Sequence, residues 1–239
     1  MCTVTYIPLQ DGFVLTSSRD EQVFRPTLKP QVYAHNNAKL IYPKDEVAAG
    51  TWIATGNNNK VACLLNGAFT SHFKETNYTK SRGLVLLDFF EYHTFPEAIE
   101  SVNLNGIEPF TLLLIDYNND IMFHQLVWDG TKKHIEKVNK NIPQIWSSAT
   151  LYSMSARVLR KTWFDNWVNA NTQQTDHDIL NFHTVKHGNI ESNDILMKGE
   201  NNLQTVSVSQ IKIAAGNRSF FYFDLKDLSK TNINLLEIV

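Results

Sequence analysis

The stretch that decides the fold is the first: Met1-Cys2-Thr3-Val4-Thr5-Tyr6-Ile7-Pro8, a turn at Asp11-Gly12, then Phe13-Val14-Leu15-Thr16 running on into Ser18-Arg19-Asp20-Glu21. Apolar and β-branched residues stop at Pro8, resume after a Gly-containing turn and read together as a β-hairpin. If residues 2–7 pair with residues 12–18, the end of the second strand returns beside the start of the first. Arg19 and Asp20 then come close to Cys2.

Working outward, further strands are predicted after a Pro26 to Pro30 stretch, at Val32 to His35, Leu40 to Tyr42, Trp52 to Thr55 and Val61 to Leu65, with Gly56 and Asn57 to Asn59 as the turn between the last two. Helical pattern follows at Gly83 to Tyr92 and from Pro96 to Val102, where Pro96 suits a first turn. Two strands, Phe110 to Tyr117 and Ile121 to Trp128, precede a helix over Ala156 to Ala170 capped by Ser155. A second helix is predicted from Asp176 to His187, stopping at Gly188, and strands at Thr205 to Ile213 and Phe220 to Leu225 close the chain. Strands, helices, strands, helices, strands is an α+β order, in which helices cover antiparallel sheets. No repeat or low-complexity segment divides the chain, which reads as one domain over residues 1–239.

Composition narrows the function. The 239 residues carry 22 Lys+Arg against 24 Asp+Glu, a net charge of -2, so no global positive field exists to hold nucleic acid. Ten glycines, none in a Gly-rich stretch after a strand, build neither a P-loop nor a dinucleotide turn. No apolar run approaches the ~20 residues of a membrane helix. A basic, then apolar, leader is not seen, and two cysteines, Cys2 and Cys63, make neither a disulfide framework nor a cysteine zinc site. A cytoplasmic protein is expected.

Cys2 is the most informative residue. With Met1 removed it carries a thiol and a free α-amine on adjacent carbons, and an amine of pKa about 7.7 to 8.0 can serve as the base for a thiol near 8.5. Its other reading is a small apolar residue starting an edge strand. Asp20 can hold the cationic amine, and Arg19 can stabilise a thiolate or a substrate carboxylate; the alternative is a solvated charged turn. Asn66, before Gly67, is either an oxyanion donor at a strand end or a simple Asn-Gly turn. Cys63 reads as core. His183 and His187 are four apart on a predicted helix, with His177 nearby, but no Glu accompanies them, and the set reads as a surface helix face rather than a metal site. Trp163, Phe164 and Trp167 read as helix packing.

Met1-Cys2-Thr3, Ser18-Arg19-Asp20-Glu21, Pro26, Ala49-Gly50-Thr51-Trp52-Ile53-Ala54, Leu64-Leu65-Asn66-Gly67, Ser81-Arg82-Gly83, Leu87-Asp88-Phe89 and Phe110-Thr111-Leu112-Leu113 follow one another in an order that resembles the NRDE family, also called the transport and Golgi organization protein 2 family. That family is similar to N-terminal nucleophile hydrolases. The resemblance implies a four-layer αββα sandwich, Cys2 as nucleophile, Arg19 and Asp20 as its partners, and Asn66 as a candidate oxyanion donor; no metal or cofactor is expected. The sequence departs from the family at Ser18, where Asn is usual, at Ser147-Ser148, where a Ser-Asn pair is usual, and at Thr205-Val206-Ser207, where an Arg is usual. The expected activity is hydrolysis of a non-peptide C–N amide in a small molecule. The alternative is a non-catalytic carrier for a hydrophobic ligand such as haem or an acyl-lipid.

Overall fold

The opening hairpin is present, one residue out of its expected turn. In a computed structural model describing residues 3–36, 38–73, 75, 77–171 and 174–238, β1 (Thr3–Leu9) pairs with β2 (Gly12–Gln22) through a two-residue Gln10-Asp11 loop, Leu9 facing Gly12. Gly12 is part of the ladder because another strand passes close: a Cβ there would sit 1.8 Å from the Ile213 carbonyl oxygen.

In chain order the remaining elements are β3 (Thr27–His35), β4 (Ala38–Asp45), β5 (Ile53–Gly56), β6 (Lys60–Asn66), α1 (Arg82–Asp88), α2 (Phe95–Ser101), β7 (Phe110–Asp116), β8 (Met122–Trp128), β9 (Lys133–Lys137), β10 (Gln144–Ser147), α3 (Met154–Ala170), α4 (Asp176–Thr184), β11 (Leu203–Ala214), β12 (Asn217–Asp224) and β13 (Lys230–Asn234). The chain divides into two compact units, Met1–Arg25 with Asn141–Leu236, and Pro26–Lys140 with Glu237–Val239.

The first unit holds a six-stranded antiparallel sheet in the order β10-β1-β2-β11-β12-β13. Ile7 and Val14 send apolar side chains into the helical layer, where they meet Phe164 of α3, Ile179 and Phe182 of α4, and Ile195. Trp163 and Trp167 pack against this cluster, the role expected of them. Ser153, two residues before Ser155, caps α3 by accepting the Ala156 N–H at 3.2 Å. Thr175 caps α4 in a reciprocal box with Asp178. That helix ends at Thr184, short of the expected His187, because the Asp194 carboxylate accepts the His187 and Gly188 N–H groups and draws the chain away from helical pairing.

The second unit holds a seven-stranded antiparallel sheet, β3-β4-β5-β6-β7-β8-β9. Its interior strand β7 is buried at every position, and Leu112 and Leu114 join Leu86, Phe89, Phe95 and Ile99 of the helical segment in one core. Two of the sequence motifs meet here. A Cβ on Gly50 would lie 2.4 Å from the Gly83 carbonyl carbon, one on Gly83 would lie 2.7 Å from the Thr51 oxygen, and Thr51 N–H donates to the Gly83 carbonyl at 3.2 Å. Only side-chain-free residues let these backbones touch. Each unit thus pairs one antiparallel sheet with its helices, the α+β class expected.

Candidate active site

The candidate site grows from the end of the β1–β2 ladder in the first unit. Thr3 lies opposite Ser18 on one side and Ser147 of β10 on the other, so the start of β1 comes beside Arg19 and Asp20, as the hairpin reading requires. Cys2 itself lies outside the described residues. Arg19 and Asp20 are strand residues, 3% and 2% exposed, rather than a solvated turn. Alternation along β2 sends them to opposite faces of the sheet.

Asp20 lies on the helix side. The Tyr152 phenol donates to its Oδ2 and the Thr205 hydroxyl donates to its Oδ1 at 2.6 Å, while Thr205 Oγ1 accepts the Met197 N–H at 2.8 Å. A buried carboxylate that accepts from two hydroxyls keeps its aim. On the other face, Arg19 Nη2 lies 3.8 Å from Glu21 Oε2. That face also carries Ser17 and Ser207, and burial pushes the Tyr222 phenol up to about 12, so it stays a neutral hydroxyl.

The two faces are reconciled by a bulge. Thr205 pairs with Asp20 and Ser207 with Arg19, leaving Val206 as an extra residue in β11. At the position where an arginine was expected, the chain therefore has a buried valine whose carbonyl accepts the Leu225 N–H at 2.9 Å. Ser148, in place of an amide, is buried and its hydroxyl accepts the Leu151 N–H at 3.4 Å.

Behind Thr3 and Asp20 the helices supply two buried side chains. Arg160 of α3 is fully buried, donating from Nε to Asn193 O at 2.9 Å, from Nη1 to Thr3 Oγ1 at 2.6 Å and from Nη2 to Asp194 O, and stacking 3.4 Å over the Tyr152 ring. His183 corrects the sequence reading: it is fully buried rather than on a surface face, each ring nitrogen 2.8 Å from a hydroxyl, those of Thr5 and Ser18. Desolvation, aided by His187 and Arg160, pushes its pKa down to about 3, so the ring is neutral, donating to one hydroxyl and accepting from the other. The signal was available, since Ile179, Phe182 and His183 share one helix face, as do Ala156, Arg160 and Phe164. Nothing local marks Tyr152 or Thr205, which reach Asp20 across 132 and 185 residues of chain.

Asn66 belongs to the second unit, ending β6 opposite Phe110. Gly67 follows with φ +85°, its N–H on Pro109 O at 3.1 Å, the left-handed residue an Asn-Gly turn requires. Cys63 is buried within β6, as expected. Among the described residues no group of three or more His, Cys, Asp and Glu is arranged to hold a metal ion, and no helix is long and apolar enough to cross a membrane.

Residues 1–221, which contain all of these motifs, match the family model described as Transport and Golgi organisation 2. The chain belongs to that family. No curated protein sequence matches it. Among solved structures it is similar to penicillin V acylase from Agrobacterium tumefaciens, with 11% identity, a TM-score of 0.59 and coverage of 99% of this chain and 87% of that one. It is similar also to a variant of the conjugated bile acid hydrolase of Clostridium perfringens, with 9% identity, a TM-score of 0.59 and coverage of 99% and 93%. A third is the Caenorhabditis elegans ortholog of N-acylethanolamine-hydrolyzing acid amidase, at 10% identity and a TM-score of 0.57 over 88% of this chain and 92% of that one. The shared feature is the fold, that of the N-terminal nucleophile hydrolases, and family and fold together span both units.

Proposed function

We propose that this family member is a cysteine amidohydrolase cleaving a non-peptide C–N amide of a small substrate. The observation that carries the reading is the burial of Arg19 and Asp20 at the ladder end beside Thr3, the residue bonded to Cys2. With Met1 removed, the Cys2 α-amine takes the thiol proton and Sγ attacks the substrate carbonyl. As the tetrahedral intermediate collapses, the C–N bond breaks and the leaving amine takes the proton from the ammonium, leaving a thioester. Water, deprotonated by the same amine, releases the acid and restores the thiol. Asp20 orients the ammonium, Arg19 meets the thiolate or a substrate carboxylate, and the sequence resemblance assigns the oxyanion to Asn66. The names of the structural neighbours, an acylase, a conjugated bile acid hydrolase and an N-acylethanolamine-hydrolyzing amidase, support an acylated amine as the substrate class. A reducing compartment such as the cytoplasm keeps Cys2 a thiol.

Intact mass determines whether Met1 is removed; a retained Met1 blocks the amine and overturns the mechanism. Wild type and Cys2→Ala are then compared on a panel of acylated amines and other small amides, and equal turnover overturns the nucleophile. Ser148 and Val206, standing where an amide and an arginine are usual, favour a second reading, a carrier for haem or an acyl-lipid. Its test is saturable binding by the wild type, read for haem in the Soret band, with no turnover of any amide.

A further inference from the structure

Four consecutive residues, Glu108 to Thr111, close on the turn that follows β6 in the second unit. Phe110 pairs with Asn66 in the β6–β7 ladder, the Pro109 carbonyl accepts the Gly67 N–H at 3.1 Å, and the Thr111 hydroxyl donates to the Gly67 carbonyl at 3.1 Å. Both backbone polar groups of Gly67 are thus tied down, on the residue that must hold a φ of +85°. A side chain from another element joins them. Arg82 Nη1 donates to the same Pro109 carbonyl at 3.2 Å, and its Nη2 lies 3.2 Å from Glu108 Oε2. The other carboxylate oxygen, Oε1, is 3.2 Å from His72 Nε2; a carboxylate only accepts, so that nitrogen carries the proton.

The helix does not account for a cation at Arg82. It is the first residue of α1, where a positive charge opposes the helix dipole, and Ser81 already caps that end by accepting the Leu84 N–H at 3.3 Å. The start of the helix is fixed separately, by the close approach of Gly83 to Gly50 and by the Thr51 N–H on the Gly83 carbonyl. From this fixed base the guanidinium spans a carboxylate and a carbonyl. The side chains of Arg82 and Glu108 are 16% and 13% exposed, so their attraction is weakly screened. We propose that Arg82 is a positioning residue for Asn66: by bracing Glu108 and Pro109 it fixes the turn, and with it the side-chain amide one residue before Gly67. This deepens the amidohydrolase reading, resting on Asn66 as the oxyanion donor; such a donor works only when it is held in place before charge develops on the substrate oxygen.

The test is amide hydrogen exchange, read residue by residue by NMR on the full folded, isotope-labelled chain, together with the side-chain amide signals of Asn66. In Arg82→Met, which keeps the stem and removes the fork, the Gly67 N–H is expected to exchange about tenfold faster, while the Thr51 N–H, the marker of the α1 start, changes by less than about twofold. The two Asn66 Nδ2 protons should draw together in chemical shift as the amide samples more than one orientation. Arg82→Lys keeps the charge but cannot span both acceptors, and is expected to fall between. An arginine that serves only the stability of the helix start speeds Gly67 and Thr51 alike, which overturns the proposal, as does an Asn66 amide that stays as it was. If Arg82→Met does not fold, Glu108→Gln decides by the same two readings, since it keeps the side chain's shape and removes the charge that aims the guanidinium: loosening at Gly67 and Asn66 supports the proposal, and no change overturns it. On any acylated amine that the wild type turns over, Arg82→Met is expected to lower kcat by about 10- to 100-fold with KM within about twofold, and an unchanged kcat overturns the positioning role. The NMR readings need no turnover. Loosening at Gly67 and Asn66 with an inactive wild type defeats only the hydrolase reading, and a Cys2-dependent activity with both unmoved defeats only this one.

Discussion

Asp20 holds its place through residues that are neighbours in space alone. Tyr152 and Thr205 each give it a hydroxyl, and Thr205 also accepts the Met197 N–H, so the three side chains act as a unit. Hydrogen bonds to a charged acceptor contribute about 1.5 to 3 kcal/mol, and groups sharing a partner are not additive. Tyr152→Phe and Thr205→Val are each expected to lower the stability measured by urea unfolding by about that amount. The double variant should depart from the sum by at least about 0.5 kcal/mol; strict additivity would mean that the two hydroxyls do not share the carboxylate. Tyr152→Phe keeps the ring under Arg160 and so leaves the stack intact.

At the level of elements, the strands legible in the sequence were, β3 apart, those with neighbours on both sides. β6 and β7 are interior strands of nearly continuous apolar residues, and β1 and β2 were given by their turn. The strands without a sequence signal, β9, β10 and β13, are all sheet edges. An edge strand has one ladder partner and much solvent, so it carries residues such as Lys133-His134-Ile135-Glu136-Lys137, which no apolar period betrays. The site divides in the same way. Arg19, Asp20 and their approach to the start of β1 follow from hairpin geometry, which is local, whereas Tyr152, Arg160, His183 and Thr205 come from packing between distant segments. The contact between Gly50 and Gly83 belongs to this scale too. Gly83→Ala is expected to force the start of α1 away from Thr51, lowering the melting temperature by several degrees or abolishing soluble expression, while Gly216→Ala, where a Cβ meets nothing within 4 Å, is expected to cost no more than the strain of its +69° φ.

For the whole molecule, the neutral His183 makes folding sensitive to acid. Its folded pKa, about 3, lies below the ordinary value near 6.5 that it regains on unfolding, so the unfolded chain binds the extra proton first. The stability held by the neutral ring is complete above about pH 6.5 and declines as pH falls from there toward 3, on the order of 1.4 kcal/mol per unit. Urea midpoints taken from pH 7.5 down to 4 should fall for the wild type. In His183→Gln, which keeps polar contact with Thr5 and Ser18 but cannot titrate in this window, the fall should be shallower even though the variant is less stable at pH 7.5. Parallel curves for the two proteins would remove His183 as the cause.

The bulge at Val206 has a bearing on how relatives are compared. Because Thr205 faces Asp20 while Ser207 stands with Arg19, two residues that a regular strand would put on one side are on opposite sides, and the extra residue between them absorbs the difference. Removing it leaves the order of faces unchanged, at the cost of the carbonyl that accepts the Leu225 N–H, whereas a substitution at 205 or 207 acts on the site directly. When a homologue without the bulge is aligned to this chain, the gap falls at 206, and an arginine on its corresponding strand shares the face of Thr205 or that of Ser207; which of the two it shares tells whether it serves the carboxylate or the guanidinium side of the site.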